Sequence, residues 1–152
     1  MLDNAKQAGR KILISGSGRC NFTNQKVEPH QFICGNPHFV KSALARYRST
    51  DFIELVERHG IEYHERDHGQ LFCNDSAKEI VTMLLTECEW AGVSIKLRTD
   101  ITCINKTDSG KFLLSTSNGD LSCDSLVIAT GGLSMPKLGA TPFGYHVAEQ
   151  FG

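Results

Sequence analysis

Three groups of residues have types and spacing that chemistry could use. Ser15-Gly16-Ser17-Gly18 and Thr130-Gly131-Gly132 each follow an apolar run, and glycine there lets backbone N–H groups close on a phosphate. Gly16 to Asn21 almost spells G-x-G-x-x-G, but Asn21 replaces the third glycine and no helical pattern follows. It is therefore not the primary dinucleotide fingerprint, and both loops read equally well as plain turns. The third group, His64-Glu65-Arg66-Asp67-His68, is a literal H-E-x-x-H. A zinc peptidase carries that motif on a helix, with the glutamate activating metal-bound water. Here it lies between Gly60 and Gly69 without helical periodicity or a third ligand. An exposed hairpin is the better reading, with a metallopeptidase a remote alternative and no metal expected.

The six cysteines (Cys20, Cys34, Cys73, Cys88, Cys103, Cys123) stand singly, with no C-x-x-C pair. That pattern suits the reduced thiols of a cytosolic protein. Cys20 invites a redox role beside its glycine loop, but no partner is near in sequence, and a packed thiol is favoured.

The elements that position these residues follow from changes of period. Lys11-Ile12-Leu13-Ile14 and Leu126-Val127-Ile128-Ala129 predict short strands, the second buried on both faces. Asn36-Pro37 predicts a helix start with Val40, Leu44 and Tyr47 on one face. A second helix is expected near Thr50, with Phe52, Leu55, Val56 and His59 inward and Gly60 ending it. Ile61 to Cys73 predicts a hairpin turning at Asp67-His68-Gly69. Ser76 and Glu79 have capping-box spacing ahead of an apolar stripe that stops at Gly92. Val93, Ile95 and Leu97, then Phe112 and Leu114, alternate before Asn118-Gly119, which predicts a three-stranded antiparallel meander. Tyr145 and His146 stand near a substrate or begin an ordinary helix running to Phe151.

With 152 residues, 40% apolar, 22% charged and a net charge of -1, the chain suits one soluble globular domain or part of one. The balance carries no pull towards nucleic acid or anionic membrane. No basic-then-apolar leader and no apolar run near the ~20 residues of a membrane span occur. The expectation is a cytoplasmic protein with no nucleic-acid and no membrane partner.

Specific words add to this. Gly9 to Asn24, GRKILISGSGRCNFTN, closely resembles a segment found early in YhiN/BaiN-like flavoproteins, and Asp124 to Thr141 resembles the family's later motif, in the right order. The resemblance implies an α/β chain forming part of a two-dinucleotide-binding flavoprotein fold, with a β-meander and a small helical insertion. It divides residues 1–152 into a flavin-loop segment (1–35), a helical and hairpin insertion (36–75), and a helix, meander and second glycine loop (76–152). It implies that Ser15, Gly16, Ser17, Gly18, Arg19, Cys20, Asn21, Thr23 and Asn24 lie beside the pyrophosphate and flavin of FAD. Ala129, Thr130, Gly131 and Gly132 would cross under the cofactor, and Ile101 would offer backbone groups to adenine. Arg19 would place positive charge near the pyrophosphate or the flavin, where it stabilises the reduced ring.

The implied activity is an FAD-dependent oxidoreductase, with NAD(P)H as reductant in the intact protein. Its catalytic residues and small-molecule substrate are not readable, because such motifs fix the cofactor rather than the reaction. Family members begin with a G-x-G-x-x-G unit and end with a segment covering the flavin, and neither is found here. The expectation is an internal fragment, inactive and unable to retain FAD alone, prone to self-association through exposed sheet edges. The competing reading is a non-catalytic piece that folds or associates without turnover.

Overall fold

The computed structural model describes residues 1–134, 136 and 139–152. They form two compact units, one of residues 11–92 and the other of 1–10 with 93–152.

In the unit of residues 11–92, β1 (Asn21–Asn24) and β2 (Tyr63–Arg66) both pair antiparallel with β3 (Gln70–Cys73). β2 and β3 are the expected hairpin, turning through Asp67–Gly69 with His68 and Gly69 at φ 63° and 73°. The central strand is the buried one, with Leu71, Phe72 and Cys73 all inside. α3 (Ser49–Arg58) and α4 (Ala77–Trp90) supply the rest of the core through Val56, Ala77, Ile80 and Met83. Phe22 packs edge-on to Tyr63 with ring centres 5.4 Å apart. The capping box forms as its spacing predicts: Ser76 Oγ accepts from the Lys78 N–H and Glu79 Oε2 from the Ser76 N–H, both at 3.2 Å. α3 and α4 are joined by His59, whose Nε2 lies 2.7 Å from Glu87 Oε1 and whose ring stacks on Trp90.

In the other unit, β4 (Ile101–Lys106), β5 (Phe112–Thr116) and β6 (Gly119–Cys123) make an antiparallel meander. Ile104 and Leu114 are buried against Val147 of α5 (Phe143–Phe151). Gln150 Nε2 donates to the Ile104 carbonyl at 2.7 Å, so the predicted C-terminal helix is held by polar as well as apolar contacts.

Four expectations are corrected. Lys11–Ile14 is not a strand: it lies in α1 (Arg10–Ile14), a short helix with no buried residue. Leu126–Ala129 pairs with no strand among the described residues, and Val127 is 84% exposed. Both runs have strand-like apolar composition, but a strand gains its hydrogen bonds only from lateral neighbours. Within α1, Lys11–Ile14 satisfies its backbone locally, as a helical turn. Val93 to Arg98 is not the meander's first strand either. It runs parallel to the N-terminus through the bridge Leu2↔Lys96, with Asp3 N–H donating to the Lys96 carbonyl and Lys96 N–H to the Met1 carbonyl, both at 2.9 Å. Finally, residues 37–40 form a turn and α2 occupies only Lys41–Arg46. Tyr47 beyond it is exposed, because that face has no core to cover.

The hydrogen bond from His59, with Arg58 adding charge, holds the Glu87 carboxyl below its ordinary value. A carboxyl lowered by folding stabilises the fold above its unfolded pKa, and that contribution is lost as pH falls through the folded value. The melting temperature of Glu87→Gln should therefore lie below that of the parent at neutral pH. The gap should close as pH falls below the carboxylate range.

Candidate cofactor site

The Ser15–Gly18 turn is built from consecutive left-handed residues, Gly16 (φ 54°, ψ 34°) and Ser17 (φ 56°, ψ 38°), with Gly18 at φ 86° and Cys20 at φ 50°. Left-handed serine and cysteine are uncommon, and such strain persists only where surrounding structure fixes it. Here Ser15 Oγ donates to the Ile12 carbonyl at 2.7 Å, Cys20 N–H to the Ser15 carbonyl at 3.0 Å, and Cys73 N–H to the Arg19 carbonyl at 2.9 Å. The turn is thus stitched to β3. A Cβ on Gly16 would lie 2.7 Å from a Phe72 ring carbon and 2.8 Å from the Asn21 nitrogen. Glycine at 16 is demanded by the protein's own packing, whatever it offers a ligand.

The remaining residues assigned to this loop divide by exposure. Ser17 and Arg19 are exposed, whereas Cys20 is buried with Val56, Cys73 and Ile80. Asn21, Thr23 and Asn24 lie on β1, opposite Phe72, Leu71 and Gln70. Ser15, Cys20 and Asn21 share a hollow of about 290 Å³ with Lys11, Ile12, Phe22 and Ile80. The fold also gives Cys20 the neighbour that sequence lacks, since Cys73 joins the same cluster. Burial pushes the Cys73 thiol up to about 11, with Cys20 and Glu79 adding to the rise. It stays protonated at neutral pH and is no nucleophile.

The other unit holds a larger cleft of about 820 Å³, lined among others by Asp3, Lys96, Ile101, Leu121, Ala129 and Thr130. Ile101, Ala129 and Thr130, far apart in sequence, therefore meet in one place. Gly131 follows at φ 74° with open space where a Cβ would project, and a Cβ on Gly132 would lie 3.4 Å from the Tyr145 hydroxyl. The N-terminus of α5 packs on this loop: a Cβ on Gly144 would stand 3.1 Å from Thr130 Oγ1 and 3.5 Å from Ile128 Cγ2. Glycine at 144 is what lets the helix end approach so closely. A helix N-terminus beside a glycine loop suits an anion, and apolar walls around Ile101 and Leu121 suit a flat ring. The volume also falls within the roughly 300–1,000 Å³ of small-molecule sites. On these grounds the cleft's residues fit part of a dinucleotide. Met135, Lys137 and Leu138 of the second motif lie outside the described residues.

Asp3 was missed from sequence. Its Oδ1 accepts the Ala5 N–H at 2.8 Å, and the parallel bridge at Leu2 puts it where a strand ends at the cleft. An acidic residue at the end of a parallel strand is a ribose-binding signal, but Met1-Leu2 before it is too short an apolar run to identify a strand. The H-E-x-x-H residues are not helical: His64 is on β2, stacked on Phe72 and 2.9 Å from Asn74 Oδ1, and His68 is in the turn. Among the described residues no three His, Cys, Asp or Glu groups gather as metal ligands. Nor is any described helix long and apolar enough to cross a membrane.

Residues 1–152 match the family model described as the HI0933-like protein Rossmann domain, and the chain belongs to that family. The α/β architecture is accordingly part of a dinucleotide-binding fold. The chain is 57% identical over its whole length to an Escherichia coli K12 protein named ribosomal RNA dihydrouridine synthase, and 52% identical to a Haemophilus influenzae protein of the same name. It is 24% identical to a Clostridium scindens 3-dehydro-bile acid delta(4,6)-reductase. It spans only 38%, 39% and 37% of those proteins' lengths.

Two glycines of the first loop should respond differently to a methyl group. Gly18→Ala meets no atom and bears only the left-handed penalty of about 1 kcal/mol. Gly16→Ala adds a clash with Phe72 and backbone, for a loss of about 2–4 kcal/mol. Urea unfolding of the two variants should show that order.

Proposed function

We propose that the intact protein is an FAD-dependent reductase that converts uridine in ribosomal RNA to dihydrouridine, and that this chain supplies part of its FAD site. The cleft that gathers Ile101, Ala129 and Thr130 beside Asp3 is the observation that carries the reading. It is supported by the family match and by the shared name of the two relatives above half identity.

In this reading Ile101 presents backbone to adenine, and the Asp3 carboxylate accepts from ribose hydroxyls. Thr130, Gly131 and Gly132 leave room for the cofactor near the α5 N-terminus, whose partial positive charge favours the pyrophosphate. Ser15, Gly16, Ser17, Gly18, Arg19, Cys20, Asn21, Thr23 and Asn24 form a flavin-side loop. In it Arg19 is the exposed cation that stabilises negative charge on the reduced ring. Once reduced by NAD(P)H, a bound flavin would supply the hydride that, with one proton, saturates the C5–C6 bond of a uracil. No residue of this chain is assigned the proton transfer. Because the substrate is ribosomal, the reading replaces the expectation of no nucleic-acid partner and keeps the cytoplasmic location.

The full-length protein, purified as produced, should carry flavin. With NAD(P)H it should form dihydrouridine in ribosomal RNA from a strain lacking the enzyme, read by mass spectrometry of nucleosides. Asp3→Ala removes a charge-assisted hydrogen bond worth about 1.5–3 kcal/mol, so FAD affinity should fall about tenfold to a hundredfold. Gly131→Val should lower flavin content by intruding on the cofactor. Unchanged flavin affinity in both variants would refute the site, and absence of dihydrouridine with flavin bound would refute the substrate.

A further inference from the structure

Residues 26–48 leave the end of β1 and return at the start of α3, and the excursion is closed by Ser49 Oγ donating to the Gln25 carbonyl at 3.3 Å. None of them is buried. Phe32, Ile33, Phe39 and Tyr47 are nonetheless 43%, 102%, 76% and 54% exposed. Within residues 1–152 these rings cover no core, so their apolar surface is open to a binding partner.

Its charge points to the occupant. The segment carries four cations (Lys26, Lys41, Arg46, Arg48) against one carboxylate (Glu28), a net +3, while the remainder of the chain has 12 cations against 16 carboxylates, a net -4. A polyanion would be repelled by most of the molecule and drawn to this loop. Arg48 is already bound to Asp51 at 2.9 Å. The head groups of Lys26, Lys41 and Arg46 have no hydrogen bond or ion pair among the described residues. Protein-docking faces are enriched in aromatics but depleted of lysine, whereas single-stranded nucleic acid is gripped by aromatic platforms set among cations.

We infer that the 26–48 loop is a binding surface for single-stranded RNA, on which unpaired bases stack on Phe32, Phe39 and Tyr47 while Lys26, Lys41 and Arg46 meet the phosphates. The inference rests on the ribosomal RNA reading above and adds where the substrate is held. Unpaired segments are the natural target, because bases must be unstacked to lie against aromatic rings.

The test uses the full-length protein, a fluorescein-labelled single-stranded RNA oligonucleotide followed by anisotropy, and the dihydrouridine assay in parallel. Phe39→Ala with Tyr47→Ala should weaken RNA binding about 30-fold or more, since each stack is worth about 1–3 kcal/mol. Lys41→Ala with Arg46→Ala should lower the slope of log affinity against log salt by about 1.4, or ~0.7 per phosphate contact. Both pairs should retain flavin and parental circular dichroism, because none of the four residues is buried within residues 1–152. Parental RNA affinity and salt slope in both variants would overturn the loop as the RNA surface. Loss of self-association by sedimentation with RNA affinity unchanged would overturn it in favour of a protein-docking loop. Wild-type protein that forms dihydrouridine while loop variants do so equally well leaves the reductase reading intact and removes the loop from it. Wild-type protein that forms none removes the reductase reading itself.

Discussion

A parallel strand has no hydrogen bonds until a neighbour lies beside it, and that constraint governs the dinucleotide-binding portion of this chain. Where a neighbour is present, as at Leu2 and Lys96, the backbone extends and exchanges bonds at 2.9 Å. Lys11–Ile14 winds into a helical turn, and Leu126–Ala129 makes no ladder among the described residues. The antiparallel parts are indifferent to the problem, because β2–β3 and β4–β5–β6 find their partners across short connections. The cleft exists because Ile101 at the head of the meander and the 126–130 run line it together with the N-terminal segment.

Glycine performs two different tasks in the two loops. At Gly16 the missing side chain makes room for Phe72 and the Asn21 nitrogen, so the constraint faces inward. At Gly131 nothing within 4 Å would meet a Cβ, and the left-handed backbone borders open space. Gly144 links the second loop to α5 by allowing contact with Thr130. The three positions look alike in sequence but answer to a core, to open space and to a helix end.

Local signals were legible and lateral ones were not. The Ser76 cap, the α3 apolar face around Val56, the Asp67-His68-Gly69 turn and the Asn118-Gly119 turn each rest on residues within a few positions of one another. The first three appear as read, and the last falls one residue earlier, at Ser117-Asn118, with Gly119 opening β6 opposite Thr116. The runs at 11–14 and 126–129 have strand composition, yet whether they pair depends on chain far away in sequence. β1 escaped notice because Asn21-Phe22-Thr23-Asn24 is mostly polar, and its partner β3 lies about 50 residues away in sequence. Asp3 escaped for the same reason, since its position at a strand end appears only once Lys96 is alongside. The candidate site was half visible: Ile101, Ala129 and Thr130 came from resemblance and were joined by the cleft, whereas the surface at 26–48 emerged only from exposure.

The central claim, that the cleft beside the meander is part of an FAD site, is most directly tested by a crystal structure of the full-length protein with FAD bound. The account predicts adenine against the Ile101 backbone, ribose hydroxyls on the Asp3 carboxylate and cofactor density over Ala129 to Gly132. Cofactor bound elsewhere, with this cleft filled by protein side chains, would contradict it.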